Sequence, residues 1–150
     1  METNNECREC NLLKEIKDLQ INTIIDNYQL CEIFKCSPQG GMRRSHRTNT
    51  LVLISDRTKL YDDRTVNEIY HYTGMGQKGD QQLKSQNKTL AESKSNGITV
   101  HYFEVMTKGK YTYRGEVVLA ADPYTDFQKD VDGRMRNVWV FPLKKADSLL

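Results

Sequence analysis

No apolar run in this 150-residue chain approaches the roughly 20 residues a membrane span needs, so a transmembrane protein is excluded from the reading. The opening METNNECREC is acidic and polar and lacks the apolar stretch of a secretory signal; a cytoplasmic location is expected. Charge of one sign is scarce as well. Lys and Arg number 22 against 20 Asp and Glu, leaving a net +2, too little to announce a polyanion partner by itself. Histidine is sparse: His46, His71 and His101 fall in different segments, none at the spacing of a helical metal site. There is no phosphate-binding Gly-Lys-Ser/Thr loop, no G-x-S-x-G, and no isolated Cys with a nearby His. Nucleotide hydrolysis, zinc proteolysis and acyl transfer therefore lack their usual residues. The chain is expected to bind rather than catalyse, with no cofactor.

What is present fits one soluble domain. The hydrophobic fraction is 37% and the charged fraction 28%, both ordinary for a globular fold. The charges are unevenly placed. Residues 42–47 read MRRSHR, with Lys59 and Arg64 soon after, while acids gather at Asp122, Asp126, Asp130 and Asp132. A nearly neutral protein with one basic face can still meet phosphate; a solvated surface of scattered charge is the alternative. Cys7, Cys10, Cys31 and Cys36 form a C-x2-C and a C-x4-C pair, a spacing compatible with structural zinc. Cys31 falls in an apolar helical pattern, where a buried free thiol is ordinary, and reduced thiols are the favoured reading.

Periodicity organises the chain. Leu12, Leu13, Ile16 and Leu19 predict one face of a helix over about 10–20, a core or docking stripe, and residues 1–27 read as an N-terminal helical segment through which the chain could dimerise. A second helix is expected over about 28–34, stopped by the loop Ser37-Pro38-Gln39-Gly40-Gly41. Thr50–Ser55 (TLVLIS) reads as a buried strand, 62–68 as a polar turn, and Ile69–Thr73 (IYHYT) as a strand. Asp80–Ser93 is the clearest helix pattern, with Leu83, Asn87, Leu90 and Ala91 on one face and Asn96-Gly97 as its stop. Strands follow at 98–105, 111–120 and 137–143, with Lys108-Gly109 turning the first two and a long Asp-rich loop over 121–136. Strands with few interposed helices make an α+β fold with a curved antiparallel sheet or barrel and flanking helices.

The segment 61–83 carries the most specific pattern: Tyr61-Asp62-Asp63, then Tyr72-Thr73-Gly74-Met75-Gly76, then Asp80-Gln81-Gln82-Leu83. Asn87-x-x-Leu90-Ala91-x-Ser93 follows, Gly40-Gly41-Met42-Arg43-Arg44-Ser45 precedes the first core strand, and Tyr111-x-Tyr113-x-Gly115 comes later. Taken singly, Tyr72 would be a core residue, the aspartates turn residues, and the glycines the closure of a tight turn. In this order they resemble the SRA (SET- and RING-associated) domain, and more narrowly the SRA-like specificity domain of bacterial modification-dependent HNH restriction endonucleases, over about 28–143. No cluster of nuclease ligands accompanies them, so the chain resembles the reader without the cutter.

The resemblance implies a PUA-like barrel over 28–150 that reads modified cytosine in double-stranded DNA, 5-methylcytosine or another 5-substituted form, by base flipping. It makes Tyr61 and Tyr72 the stacking faces. Asp63, with Asp62 in reserve, would accept from the cytosine amino group. Thr73 would leave room at C5, and Gly74 would belong to the same base pocket. The DNA-contacting loops would comprise Gly41, Met42, Arg43, Arg44, Ser45, Arg47, Lys59, Gln77 and Lys78, the cations holding phosphates. Gln77, Met42 or Arg43 would fill the gap left in the stack. A nuclease domain or subunit would be the partner. Two other readings stay open: a PUA-like RNA-binding module, and an interaction protein that keeps the fold without DNA binding.

Overall fold

The computed structural model describes residues 13–59 and 63–146. In chain order these form a 3-10 turn (Ile16–Asp18), β1 (Ile24–Ile25), α1 (Asn27–Phe34), β2 (Met42–Ser45), β3 (Thr50–Asp56), β4 (Arg64–Val66) and β5 (Ile69–Thr73). Then come α2 (Ser85–Ala91), β6 (Thr99–Thr107), β7 (Lys110–Leu119), β8 (Tyr124–Lys129) and β9 (Met135–Lys145). Among the described residues the strands join one sheet in the order β2-β3-β6-β7-β9-β5-β4, with β1 added on β7 and β8 on β9. The path ends at β2 and β4 without closing on itself.

Each element has a local cause. β3 buries both faces. Leu51 and Leu53 enter one apolar cluster with Tyr72, Tyr102 and Phe141, while Val52 and Ile54 enter a second with Leu30, Phe34 and Phe103; hence its unbroken apolar run. α1 starts on a reciprocal cap. Asp26 accepts from the Gln29 N–H at 2.8 Å, and the Gln29 side chain accepts from the Asp26 N–H at 3.1 Å. It stops at Lys35, whose φ of +57° is left-handed, after burying Leu30, Ile33 and Phe34. Each such burial contributes about 1.5–3 kcal/mol.

Four sequence expectations change. The sheet is mixed, because β3 and β6 run parallel; the long connection through β4, β5 and α2 supplies the crossover that a parallel pair needs. The helix expected over 80–93 is only Ser85–Ala91. Its first residues are held elsewhere: the Gln81 N–H donates to the Asn137 carbonyl at 2.9 Å, and Asp80 Oδ1 accepts from the Asn137 N–H at 2.8 Å. The long loop over 121–136 contains β8, a full antiparallel partner of β9, and the polar turn over 62–68 contains β4.

Of the helix expected over 10–20, the described part holds only the 3-10 turn, because the Asp18 carboxylate accepts from the Lys14 and Glu15 N–H groups and closes the turn on itself. Leu19 is buried, and Leu13 and Ile16 pack on the same cluster as Phe34, so this part of the stripe packs within the fold. β1 pairs with β7, which packs 13–27 onto the rest. Cys7, Cys10 and Leu12 lie outside the described residues. Cys31 and Cys36 are free thiols, and burial together with Cys31 pushes the Cys36 thiol up to about 11. No helix among the described residues is long and apolar enough to cross a membrane.

His101 sits in the core, its ring edge-on to Phe34, with Nδ1 2.9 Å from the Tyr113 hydroxyl and Nε2 3.0 Å from Thr99 Oγ1. Burial lowers its pKa from 6.5 to about 4. Only the unfolded chain then binds a proton between those values, so stability is lost as pH falls from 6.5 to 4, by on the order of 3 kcal/mol. Urea midpoints against pH should show this fall in the wild type and a much flatter profile in His101→Gln; identical profiles would reject the assignment.

Candidate functional site

Asp63 is the centre of the site. It enters from β4's N-terminal side, is buried, and its two carboxylate oxygens take different donors. Oδ1 accepts from the Thr73 N–H at 2.7 Å, and Oδ2 from the Ser55 hydroxyl at 2.8 Å. Burial raises its pKa above the usual carboxylate range, against the bonds from Thr73 and Ser55. A carboxylate has about four acceptor sites, so two bonds leave capacity for an incoming donor. Around it, the Tyr102 hydroxyl lies near Ser55 and Asp63, yet neither it nor Thr73 Oγ1 completes a well-formed hydrogen bond. The site is thus a buried acid beside two hydroxyls with no well-formed protein partner, polar groups that a ligand or water would satisfy.

A charged chain braces the acid from behind. Arg57 Nη1 donates to the Asp63 carbonyl. Its Nη2 and Nε reach Glu104 Oε2 at 2.9 and 3.2 Å, and Glu104 Oε1 accepts from Arg114 Nε at 2.7 Å. Sequence reading missed Ser55, Arg57, Glu104 and Arg114; the available signal was one acid inside the otherwise apolar run YFEVM.

Tyr72 is 3% exposed. Its hydroxyl donates to the Gly41 carbonyl at 2.8 Å, and its ring stands edge-on to Tyr102 at 5.8 Å. The strand therefore uses it to tie β5 to the turn before β2. Tyr61 and Asp62 lie outside the described residues. Gly74 continues directly from Thr73 and is required by packing: a Cβ there would meet Asn87 Oδ1 at 2.7 Å and Phe141 at 3.1 Å.

Beyond Gly74 the chain makes a short loop fixed by three buried side chains. Gln81 Nε2 donates to the Gly74 and Gly76 carbonyls at 2.7 and 3.1 Å, while its Oε1 accepts from the Trp139 N–H at 2.9 Å. Asn87 Oδ1 accepts from the Met75 N–H at 2.9 Å, and its Nδ2 donates to the Met75 carbonyl at 3.1 Å. Arg136 Nη1 reaches the Gly76 and Gly79 carbonyls at 2.6 and 3.1 Å. The Asp-Gln and Asn marks of the sequence are clamps on this loop rather than parts of a long helix.

The expected basic loop divides. Met42–Ser45 is a strand, and Met42, Arg43 and Ser45 are buried. The Arg43 guanidinium bonds the Gly40 carbonyl at 2.8 Å and Asn27 Oδ1 at 2.6 Å, and the Ser45 hydroxyl donates to the Lys35 carbonyl. These three side chains are engaged within the fold. Arg44 is half-buried, tied to the Thr50 carbonyl and Asn49. Gly41, Arg47, Lys59, Gln77 and Lys78 are exposed. A cavity of about 300 Å³ between the β4–β5 turn and the end of β9, lined by Thr65, Glu68, Tyr70, Lys144 and Lys145 among others, includes none of the expected site residues.

No curated protein sequence matches the chain. Its fold is similar to that of the sulfur-binding and SRA domains of ScoMcrA complexed with phosphorothioated DNA, with a TM-score of 0.71 and 19% identity over 86% of this chain and 41% of that one. The type IV phosphorothioation-dependent restriction endonuclease ScoMcrA gives 0.70 and 18%, over 85% of this chain and 28% of that one. This chain therefore spans less than half the length of either. The SUVH5 SRA domain in complex with hemi-methylated CG DNA gives 0.63 and 20%, over 85% and 88%. The sequence profile of the ScoMcrA-like SRA domain matches residues 22–150. With a profile match over most of its length and the same fold in those neighbours, the chain belongs to the ScoMcrA-like SRA domain family.

Proposed function

We propose that this chain reads modified DNA by taking a 5-substituted cytosine out of the duplex and seating it against Asp63. The observation that carries the reading is the Asp63 carboxylate, buried between Ser55 and the Thr73 N–H with acceptor capacity left over, beside unsatisfied Thr73 and Tyr102 hydroxyls. A cytosine presents an amino donor with ring and carbonyl acceptors along its pairing edge; the acid would meet the donor and the hydroxyls the acceptors. Only an extruded base can bring that edge to a buried acid. Tyr61 would supply an aromatic face for the base and Thr73 the room at C5, with Tyr72 held in the core against Tyr102 and Gly74 packed on Asn87 and Phe141. Arg44, Arg47, Lys59 and Lys78 would hold phosphates, with Arg43 withdrawn from that role. The chain would act as the specificity module of a modification-dependent restriction system, with cleavage carried by a separate nuclease domain or subunit. ScoMcrA and SUVH5, whose folds it shares, were solved on phosphorothioated and methylated DNA.

The test is a binding panel of one duplex sequence carrying C, 5-methyl-C, 5-hydroxymethyl-C, glucosylated C, or a phosphorothioate linkage. Burying one methyl group is worth about 0.8 kcal/mol, or about a fourfold preference, so 5-methyl-C should bind about fourfold tighter than C. Equal affinity for every 5-substituent would overturn the reading. Preference for the phosphorothioate alone would move recognition from base to backbone.

A further inference from the structure

Two turns distant in sequence are fastened into one projection. The Val131 N–H donates to the Gln77 carbonyl at 3.3 Å, and Lys78 Nζ lies 3.5 Å from Asp132 Oδ2. The 76–79 loop leaves directly from the pocket strand, since Thr73, which donates to Asp63, is followed by Gly74 and the loop. The 130–134 turn closes the β8–β9 hairpin. Beneath both, Arg136 bonds the Gly76 and Gly79 carbonyls.

The 130–134 turn is itself tightly wound. Asp130 is buried, and its Oδ1 accepts from the Asp132 and Arg134 N–H groups at 2.8 and 2.9 Å. Both acids of the turn are thereby occupied, Asp130 by its own backbone and Asp132 by Lys78. Lys129 and Arg134 are exposed and have no ion-pair partner among the described residues. Val131 stands 52% exposed at the tip, an apolar side chain held out between cations.

We infer that the 130–134 turn is the second half of the element that meets the duplex, Val131 packing with Gln77 into the stack gap and Lys129 and Arg134 holding the flanking phosphates. The inference rests on the base-flipping reading above. Extruding a base leaves a void whose neighbouring bases have lost their stacking partner, and an apolar side chain recovers contact there. A projection whose loop carbonyls are already held by Gln81, Asn87 and Arg136 enters with little ordering left to do. The acids face inward or are paired, so the surface presented is apolar and cationic, matching a gap between phosphates.

The experiment uses the full chain and a duplex with one 5-methylcytosine flanked by 2-aminopurine, whose fluorescence rises on unstacking. The wild type should brighten the probe. Val131→Ser should bind this duplex about three- to tenfold more weakly, the scale of losing one half-exposed aliphatic contact, with unmodified-duplex affinity and melting temperature unchanged. Lys129→Ala with Arg134→Ala should make the slope of log K against log salt shallower by about 2 on both duplexes. If the wild type brightens the probe and both variants match it in affinity and slope, the inference is wrong while base flipping stands. If Val131→Ser weakens both duplexes equally, the turn touches DNA without filling a gap, and the inference is again wrong. If the wild type itself neither brightens the probe nor prefers the modified duplex, base flipping fails first and takes this inference with it.

Discussion

Replacing Asp63 with Asn should abolish the preference for modified cytosine while leaving the fold intact. The amide is isosteric with the carboxylate. Its oxygen can still accept from the Thr73 N–H, and its NH2 can donate to a Ser55 hydroxyl turned round to accept, so both internal bonds survive. What changes is the face offered to a ligand: an acceptor becomes a donor, and it meets the cytosine amino group donor to donor. The lost contact is worth about 1–3 kcal/mol, more than the methyl group contributes, so the flipped mode should fall below non-specific binding and both duplexes should bind at one common level. Salt-sensitive binding through Arg47, Lys59 and Lys78 should persist. Asp63→Ala is the harsher variant, because it strands the Ser55 and Thr73 donors in a buried site at about 1–3 kcal/mol each. Asp62→Ala is the comparison. If Asp62→Ala were the damaging change and Asp63→Asn bound modified DNA as the wild type does, the two aspartates would exchange roles.

Glu104→Gln should lower stability sharply while leaving every direct bond to the Asp63 carboxylate in place. Glu104 is buried, and its two oxygens hold Arg57 and Arg114 at 2.9 and 2.7 Å, with the arginine side chains only 28% and 26% exposed. Removing one partner of a buried pair leaves uncompensated charge, typically 3–5 kcal/mol; the partial exposure of both guanidiniums argues for about 2–4 kcal/mol here. Urea unfolding reads this as a lower midpoint at unchanged slope. The loss should reach the pocket, because Arg57 also holds the Asp63 carbonyl, so modified-DNA preference should fall even where the variant is fully folded. A double-mutant cycle with Arg57→Met should show coupling well above the few tenths of a kcal/mol expected for independent sites. A midpoint within error of the wild type would mean that water already screens the cluster.

The elements legible in the sequence were those whose signal is local. The apolar run of β3, the alternation of β5 and the capped pattern of α1 each lie within a few residues of their cause. Motif order puts Asp63 and Thr73 in one expected site; the hydrogen bond between them is what the structure adds. The structure added what depends on partners far along the chain. The 80–93 pattern carries helical spacing, yet Asp80 and Gln81 bond β9 instead, and that competition is invisible until β9 is placed. β8 is mostly exposed and lies inside an Asp-rich stretch, so its composition reads as loop; only its register against β9 makes it a strand. Arg43 reads as a phosphate ligand because it stands in the basic run MRRSHR. Its destination, Asn27 Oδ1 and the Gly40 carbonyl, belongs to α1 and the turn.

The parallel pairing of β3 with β6 sets Thr50 opposite Thr99 and Asp56 opposite Val105. Contacts between residues this far apart close a long loop before they return any packing, and folding slows accordingly. The β6–β7 and β8–β9 hairpins can form early from neighbouring residues. The Glu104 brace needs β3 seated beside β6, so the support behind Asp63 is among the last parts to assemble. During synthesis, the acid that would read the base remains without its support until β6, which begins 36 residues downstream of Asp63 at Thr99, has left the ribosome.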